Sequence, residues 1–415
     1  MKLSKKIQGI QASPIRKFFK YTEAAKNAGK KVYFLNIGQP DIKTPPVFME
    51  AIRNDGREIV EYGPSAGTPL MISAVQEYYR RYGMEFTQDE IIVTCGGSEA
   101  LRFIVDCVCD EGDEIIIPEP FYTNYGAFIR ASGGVIVPLT TTPENGYRYA
   151  DRAAIDACVT PRSRALLLTN PGNPTGVVLS PEEMRLIGQA AKDHDLFIIS
   201  DEVYREFVYD GKQITSFGQI PDIADRVILV DSVSKRFSAC GARIGTVLSK
   251  NRDLLESLLK LAQSRLCAPT LDQLGSAALY RMDPGYFTEI RAEFEKRRDA
   301  AYEELSKIDG IVCMKPPGAF YITAKLPVEN AEEFLIWLLR EFDDGNETVM
   351  FTPAEGFYAT EGLGRSEIRI AYVLNEQDLR RGIELIRLAL SAYRRAGAPL
   401  RPACPASPDA RTVPQ

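Results

Sequence analysis

The chain has a single histidine, His194. One imidazole cannot build a multi-histidine metal centre, and in the run KDHDLFIIS a structural role at a helix-to-strand junction is expected of it. Long apolar runs are missing as well: no stretch approaches the roughly 18–20 residues a membrane span requires. Lys2, Lys5 and Lys6 give a basic start, but no apolar core follows them, so no signal peptide is expected. Positive charge is not in excess either. With 50 Lys and Arg against 56 Asp and Glu the net charge is −6, which argues against nucleic acid or an anionic membrane as the main partner. The eight cysteines are scattered, and Cys107 and Cys109 form the only close pair. That is the pattern of reduced thiols in a cytoplasmic protein, not of a disulfide or zinc framework. No internal repeat is present.

What the chain does have is length and alternation. Its 415 residues, 45% hydrophobic and 26% charged, suffice for two domains and a sizeable core. The first thirty residues are polar and basic, with helical spacing of apolar residues from Pro14 to about Ala28. A short strand, VYFLNIGQPD, follows, and Pro45-Pro46 opens a helix. The loop EYGPSAGTP carries Tyr62 into a further helix. From Ile91 the pattern is strand, loop, helix: IIVTCGGSEAL, EIIIPEPFYTNY, GVIVPLT, ALLLTNPGNPTG, LFIISDEVY and VILVDSVSK supply the apolar runs. SPEEMRLIGQAAKDH, one of the intervening helices, opens on a capping box at Ser180. Such alternation predicts an α/β domain with a mostly parallel sheet covered on both faces by helices. Past about residue 285 a long charged helix, short strands and two further helices predict a smaller α+β domain. The expected division is an N-terminal segment 1–44 packing with the small domain, a large domain 45–285, the small domain 286–396, and a disordered proline-rich tail 397–415.

Three apolar runs end in polar clusters of unusual composition. These are Asn170-Pro-Gly-Asn173-Pro-Thr-Gly176, Asp201-Glu202-Val203-Tyr204, and Ser232-Val-Ser-Lys235 with Arg243 between Gly241 and Gly245. Carboxyl ends of neighbouring parallel strands converge on one edge of a sheet, so the three clusters are expected in one cleft. A lysine able to form a Schiff base, with hydroxyl and guanidinium donors close in sequence, points to a carbonyl cofactor bearing a phosphate.

In this order the motifs NIGQPD, YGPSAG, GGSEAL, EPFYTNY, NPGNPTG, SDEVY, SVSK-x7-R-x-G, PPGAFY and EIRIAYV resemble the class I aminotransferases, of the aspartate-aminotransferase-like kind, among the fold-type I pyridoxal-phosphate enzymes. The resemblance covers roughly residues 30–395. It implies pyridoxal 5′-phosphate held on Lys235 as a Schiff base, with the freed amine then moving the substrate's Cα proton. It implies that Asp201 pairs with the pyridine nitrogen, that Tyr204 and Asn173 hydrogen-bond the ring's phenolic oxygen, and that Tyr122 stacks on the ring. The phosphate would sit at the helix start of Gly97 and Ser98, helped by Ser232 and Arg243. Tyr62 would reach the phosphate from the neighbouring subunit, which makes a homodimer with shared active sites. Arg369, with Gly38 and Asn173, would hold the substrate α-carboxylate.

Substrate choice is less marked. Aspartate-type members commonly carry a lysine where this chain has Ser98. Arg265, close to the segment from which another group of aspartate aminotransferases supplies a distal-carboxylate arginine across the dimer, and more remotely Arg16, are the candidates for a distal carboxylate. The expected reaction moves an amino group from an L-amino acid, aspartate- or glutamate-like, to 2-oxoglutarate. The alternatives are an aromatic or neutral amino-acid aminotransferase, a β-elimination lyase or a cyclopropane-carboxylate synthase. A non-catalytic cofactor-sensing regulator is disfavoured, because the chain is acidic, no DNA-binding segment precedes residue 30, and every expected catalytic residue is present.

Overall fold

The computed structural model describes residues 2–10 and 17–397. Arg16 and the tail beyond Gly397 lie outside the described residues, as does the first part of the helix expected from Pro14; the described part runs Phe19–Asn27. A short strand, Lys31–Phe34 (β1), precedes the sheet that organises the molecule. That sheet holds seven strands: Ile91–Thr94 (β2), Glu114–Glu119 (β3), Val135–Thr140 (β4), Ser163–Thr169 (β5), Phe197–Asp201 (β6), Val227–Ser232 (β7) and Gly245–Ser249 (β8). Their spatial order is β2-β8-β7-β6-β5-β3-β4. All run parallel except β8, which pairs antiparallel with β2 and β7.

The strands are apolar on both faces because both faces are covered. Ile115, Ile117, Leu167, Ile199 and Ile228 enter one core cluster. Their alternating neighbours Ile116, Leu166, Leu168, Ile198 and Leu229 enter another, on the opposite face. Helices begin where capping chemistry puts them. Ser180 accepts from the Glu183 N–H while Glu183 reaches back to Ser180, and His194 closes the same helix with Nε2 2.7 Å from Asp156 Oδ1. His194 therefore has the structural position expected of it.

A second body follows the long helix Gly285–Leu305. Strands Val312–Cys313 (β9), Tyr321–Lys325 (β10), Thr352–Pro353 (β12) and Glu367–Ala371 (β13) form an antiparallel sheet in the order β12-β13-β10-β9, and Glu347–Met350 (β11) pairs in parallel with β1. The fold is thus α/β, a mostly parallel sheet between helices joined to a smaller α+β unit. Its core, around Phe334, Leu338, Ile368, Ile370 and Ile383, also takes in Tyr204 and Phe207 from the larger body. The two bodies share a wall beside the carboxyl edge of the large sheet. Among the described residues no helix is long and apolar enough to cross a membrane.

Candidate active site

The parallel register aligns the strand ends: Asp201 lies opposite Thr169 on β5 and Val230 on β7, and Ser232 opposite Gly245 on β8. The chain turns from there into a cavity of about 690 Å³. Gly38, Gly97, Ser98, Tyr122, Asn173, Asp201, Tyr204, Ser232, Lys235, Arg243 and Arg369 all line it. The three polar clusters therefore meet where the strand pattern placed them, and the arginine of β13, expected there from the resemblance, joins them. Residues 203–206 form a turn, so Tyr204 follows Asp201 through a turn, not along a helix.

Lys235 Nζ donates to the Gly38 carbonyl at 2.9 Å. Gly38 must be glycine: a Cβ there would fall 1.8 Å from Tyr321 Oη. Tyr321 Oη in turn lies 3.0 Å from Tyr204 Oη. Asp201, 5% exposed, accepts from Tyr125 Oη at 2.7 Å and from the Val203 N–H at 3.3 Å. Burial pushes its carboxyl up to about 6, with Tyr125, Val203 and the Lys235 charge acting the other way. A buried carboxylate so placed gains from a cation brought into the cavity.

Arg369 is 2% exposed although it stands between Ile368 and Ile370. Its Nη1 donates to Asn173 Oδ1 at 3.2 Å and its Nη2 to the Asn36 carbonyl at 2.7 Å. The guanidinium lies over the rings of Tyr321 and Phe357, at 4.6 and 5.0 Å from their centres. Its Nε has no partner. Burial lowers its pKa, the direction expected of a cation waiting for a carboxylate.

The phosphate cradle is shaped by close backbone packing. Gly96 has φ 82°, and a Cβ on it would lie 2.5 Å from Arg243 Nη2. A Cβ on Gly245 would lie 2.5 Å from the Gly96 carbonyl carbon. The helix Gly97–Val108 thus starts directly on β8, and its first residues, Gly97 and Ser98, line the cavity. Arg243, at φ 53°, donates to the Cys240 carbonyl at 3.1 Å and the Cys95 carbonyl at 3.4 Å. Ser232 Oγ lies 2.7 Å from Ser234 Oγ. These donors, the buried Asp201 and the lining cations Lys235, Arg243 and Arg369 suit a dianionic phosphate, a protonated ring nitrogen and a carboxylate together. The residues present therefore fit pyridoxal 5′-phosphate.

Two residues expected to act across a dimer interface do not line the cavity of their own subunit. Tyr62 is 81% exposed and does not line this cavity. Arg265 does not line it either; its Nη1 lies 3.4 Å from Glu99 and its Nη2 donates to the Ser65 and Val93 carbonyls at 3.1 and 3.3 Å. Three residues that matter received no role from the sequence: Tyr125, Tyr321 and Asn36. All lie inside quoted motifs (EPFYTNY, PPGAFY and NIGQPD); Tyr125 and Asn36 stood there close to residues already singled out, Tyr122 and Gly38, whereas Tyr321 had only the motif to mark it.

Behind the cavity the chain neighbours of the site residues form one charged network. Glu202 lies 3.7 Å from Arg205, Arg236 pairs with Asp231, and Tyr79 Oη donates to Asp231 at 2.9 Å. Asp201, Tyr204 and Lys235 each precede a member of this network, and Ser232 follows one, Asp231.

A doubly covered parallel sheet with a lysine, an aspartate and two arginines around a cavity at its carboxyl edge defines a pyridoxal-phosphate-dependent transferase. The family described as aminotransferase class I and II matches residues 30–386, and the chain belongs to it. Among curated relatives, the aspartate aminotransferase of Bacillus subtilis (strain 168) is 30% identical over 398 residues, 93% of this chain and 98% of that one. A probable aspartate/prephenate aminotransferase of Aquifex aeolicus (strain VF5) is 32% identical over 393 residues, 94% and 98% of the two chains. Among solved structures, the aspartate aminotransferase of Rhizobium meliloti superposes with a TM-score of 0.86 at 27% identity, covering 94% of this chain and 99% of that one. An alanine aminotransferase from Pyrococcus furiosus gives 0.86 at 29% identity, covering 94% and 100%. The chain is a transaminase, and its cofactor is pyridoxal 5′-phosphate.

Proposed function

We propose that Lys235 carries the cofactor and moves the proton at the substrate Cα, with Arg369 holding the α-carboxylate, in an aminotransferase whose donor is an aspartate- or glutamate-type L-amino acid and whose acceptor is 2-oxoglutarate. The observation that carries this reading is one cavity holding the Lys235 amine, the buried Asp201 carboxyl and the Arg369 guanidinium. The cofactor supplies a carbonyl for the amino group and an electron sink for the Cα carbanion. The chain supplies the rest. Arg369 has an unpartnered Nε and Asn173 beside it to orient a carboxylate. Asp201 stabilises positive charge on the ring nitrogen. Tyr204 and Asn173 would hydrogen-bond the phenolic oxygen of the bound cofactor, and Tyr122 would stack on its ring; all three line the cavity. Gly97, Ser98, Ser232 and Arg243 hold the phosphate.

The printed names of most relatives support a dicarboxylic substrate. A neutral donor is the second reading, and a specific observation favours it: within one subunit the only cations lining the cavity, among the described residues, are Lys235, Arg243 and Arg369. A second carboxylate would then need a donor from the partner subunit. Adding each amino acid to the cofactor-loaded protein and timing loss of the lysine-bound absorption band separates the readings. Rapid loss with aspartate and glutamate, and a 2-oxo acid as product, is the expected result. Loss with alanine or phenylalanine alone selects the second reading, and release of pyruvate with ammonia makes the protein a lyase.

A homodimer completes the proposal. Tyr62 stands exposed beside Ile59 and Val60, 72% and 60% exposed, on the loop that the family resemblance assigns to the partner's phosphate. Pairing a Lys235→Ala subunit with a Tyr62→Phe subunit should leave one site wholly wild type, because both defects then fall in the other. Titration of tagged heterodimers with pyridoxal 5′-phosphate at low phosphate is expected to show that one tight site. A monomer in sedimentation, or defects spread over both sites, rules the arrangement out. The cysteines of the described residues are all free, which supports a cytoplasmic setting.

A further inference from the structure

Glu99 creates a problem at the phosphate cradle. It is the third residue of the helix Gly97–Val108, and its Oε2 accepts the Cys95 N–H at 2.7 Å, the bond that closes the turn in front of the helix. The same helix start must receive a phosphate dianion. Two anions at one helix N-terminus repel each other, and in a partly buried setting that repulsion is poorly screened. Glu99 and Arg265 side chains are only 17% and 14% exposed.

Arg265, the last residue of the helix Arg252–Arg265, meets Glu99 Oε2 at 3.4 Å through Nη1. Its Nη2 holds the carbonyls of Val93, on β2, and Ser65, on the loop that carries Tyr62. That loop also rests on β2, where the Val93 N–H donates to the Ala66 carbonyl at 2.7 Å. One guanidinium thus joins the turn, the strand behind it and the loop. Its Nη1 and Nη2 are engaged within its own subunit, and its buried Nε has no partner. Arg265 stands outside the cavity that Arg369 lines, which places it poorly for a substrate carboxylate bound there.

We propose that Arg265 is a positioning residue that offsets the Glu99 charge so that the helix start accepts the cofactor phosphate, and that it is not the distal-carboxylate ligand. This rests on the cofactor site proposed above. It makes a prediction that a merely structural arginine does not: the effect of removing Arg265 depends on the phosphate and on Glu99.

Apoproteins are titrated with pyridoxal 5′-phosphate and with pyridoxal, which lacks the phosphate, by following the lysine-bound absorption band. Arg265→Met should weaken pyridoxal 5′-phosphate by about tenfold and leave pyridoxal within about twofold. Glu99→Gln should bind the phosphate form at least as tightly as wild type. The double variant should return to within about threefold of wild type, since the charge to be offset is gone. Arg265→Lys keeps the charge and should keep most of the preference for the phosphate form. Should Arg265→Met fail to fold, the Glu99→Gln and Arg265→Lys titrations decide the matter. The inference is overturned if Arg265→Met weakens both ligands alike, if Glu99→Gln weakens the phosphate form, or if aspartate-over-alanine selectivity is lost with the phosphate preference unchanged. A wild-type protein that takes up neither ligand overturns the site reading itself; uptake with an unchanged ratio in the variants overturns only this inference.

Discussion

Lys235→Ala is expected to stop transamination, by about 10⁴-fold or more, in a protein that folds and still retains pyridoxal 5′-phosphate without a covalent link. The fold survives because the lysine side chain is only half-buried and its amine makes one named bond, to the Gly38 carbonyl at 2.9 Å. The backbone at this position stays anchored by Arg236, whose pairing with Asp231 is unaffected. Cofactor retention follows from the cradle, since the helix start at Gly97, Ser232 and Arg243 do not depend on the amine. Turnover fails because no other amine lines the cavity among the described residues. Borohydride reduction of the loaded wild type followed by peptide mapping should place the pyridoxyl group on Lys235. A label on another lysine sinks the assignment, and so does a Lys235→Ala protein that turns over at a tenth of the wild-type rate or better.

Strand-to-loop switches were the most legible feature of this chain. Each of the six apolar runs from Ile91 to Ser232 is a strand, and residues that abruptly follow them, such as Asn173, Asp201 and Lys235, reach one cavity. The reason is physical: a strand buried on both faces has to be apolar throughout, so its polar end stands out. β8 was not legible. Its five residues GTVLS are short and flanked by a polar segment, and the strand exists because Gly245 lets it lie against the Gly96–Gly97 turn. Arg369 could be read only through the family motif, because alternation with isoleucine on a strand equally suits a surface charge; its burial needs the second body closed on the first. The network of Glu202, Arg205, Asp231, Arg236 and Tyr79 left no trace in the pattern. Its partners come from distant helices and turns, and no local periodicity records a contact between residues 79 and 231. Arg265 is the converse case: its position along the chain singled it out, but its contacts with Glu99 and with the Ser65 and Val93 carbonyls left no trace in the pattern.

Asp201→Asn is expected to lower turnover by about 10²-fold or more while stabilising the cofactor-free protein at neutral pH. The loss of rate follows from charge: an amide cannot hold the ring nitrogen protonated, and misplacing a preorganised charge in a buried site costs about that much. Asp201→Glu keeps the charge on a longer arm and should keep part of the activity. The stability effect has a defined sign. Burial holds the carboxyl at about 6 in the folded apoprotein, against about 3.9 in an unfolded chain. Between roughly pH 4 and 6 the folded state therefore binds more protons than the unfolded one, and this group's contribution to stability falls as the pH rises through that window. By neutral pH the loss is on the order of 3 kcal/mol. The amide does not titrate and escapes it; its oxygen can keep the Val203 N–H, and its NH2 can face Tyr125 Oη once that hydroxyl turns to accept and donates to Thr169 Oγ1 instead. Melting temperatures of the two apoproteins should thus diverge from pH 4.5 to 7.5 in favour of Asp201→Asn. Loading with pyridoxal 5′-phosphate should reverse the order, since only the carboxylate gains a cationic partner. Apoprotein melting curves that stay parallel across this range would show that burial does not raise the Asp201 carboxyl. Asn and Glu variants that both run near the wild-type rate would leave Asp201 as no more than the residue that receives the Val203 N–H at the end of β6.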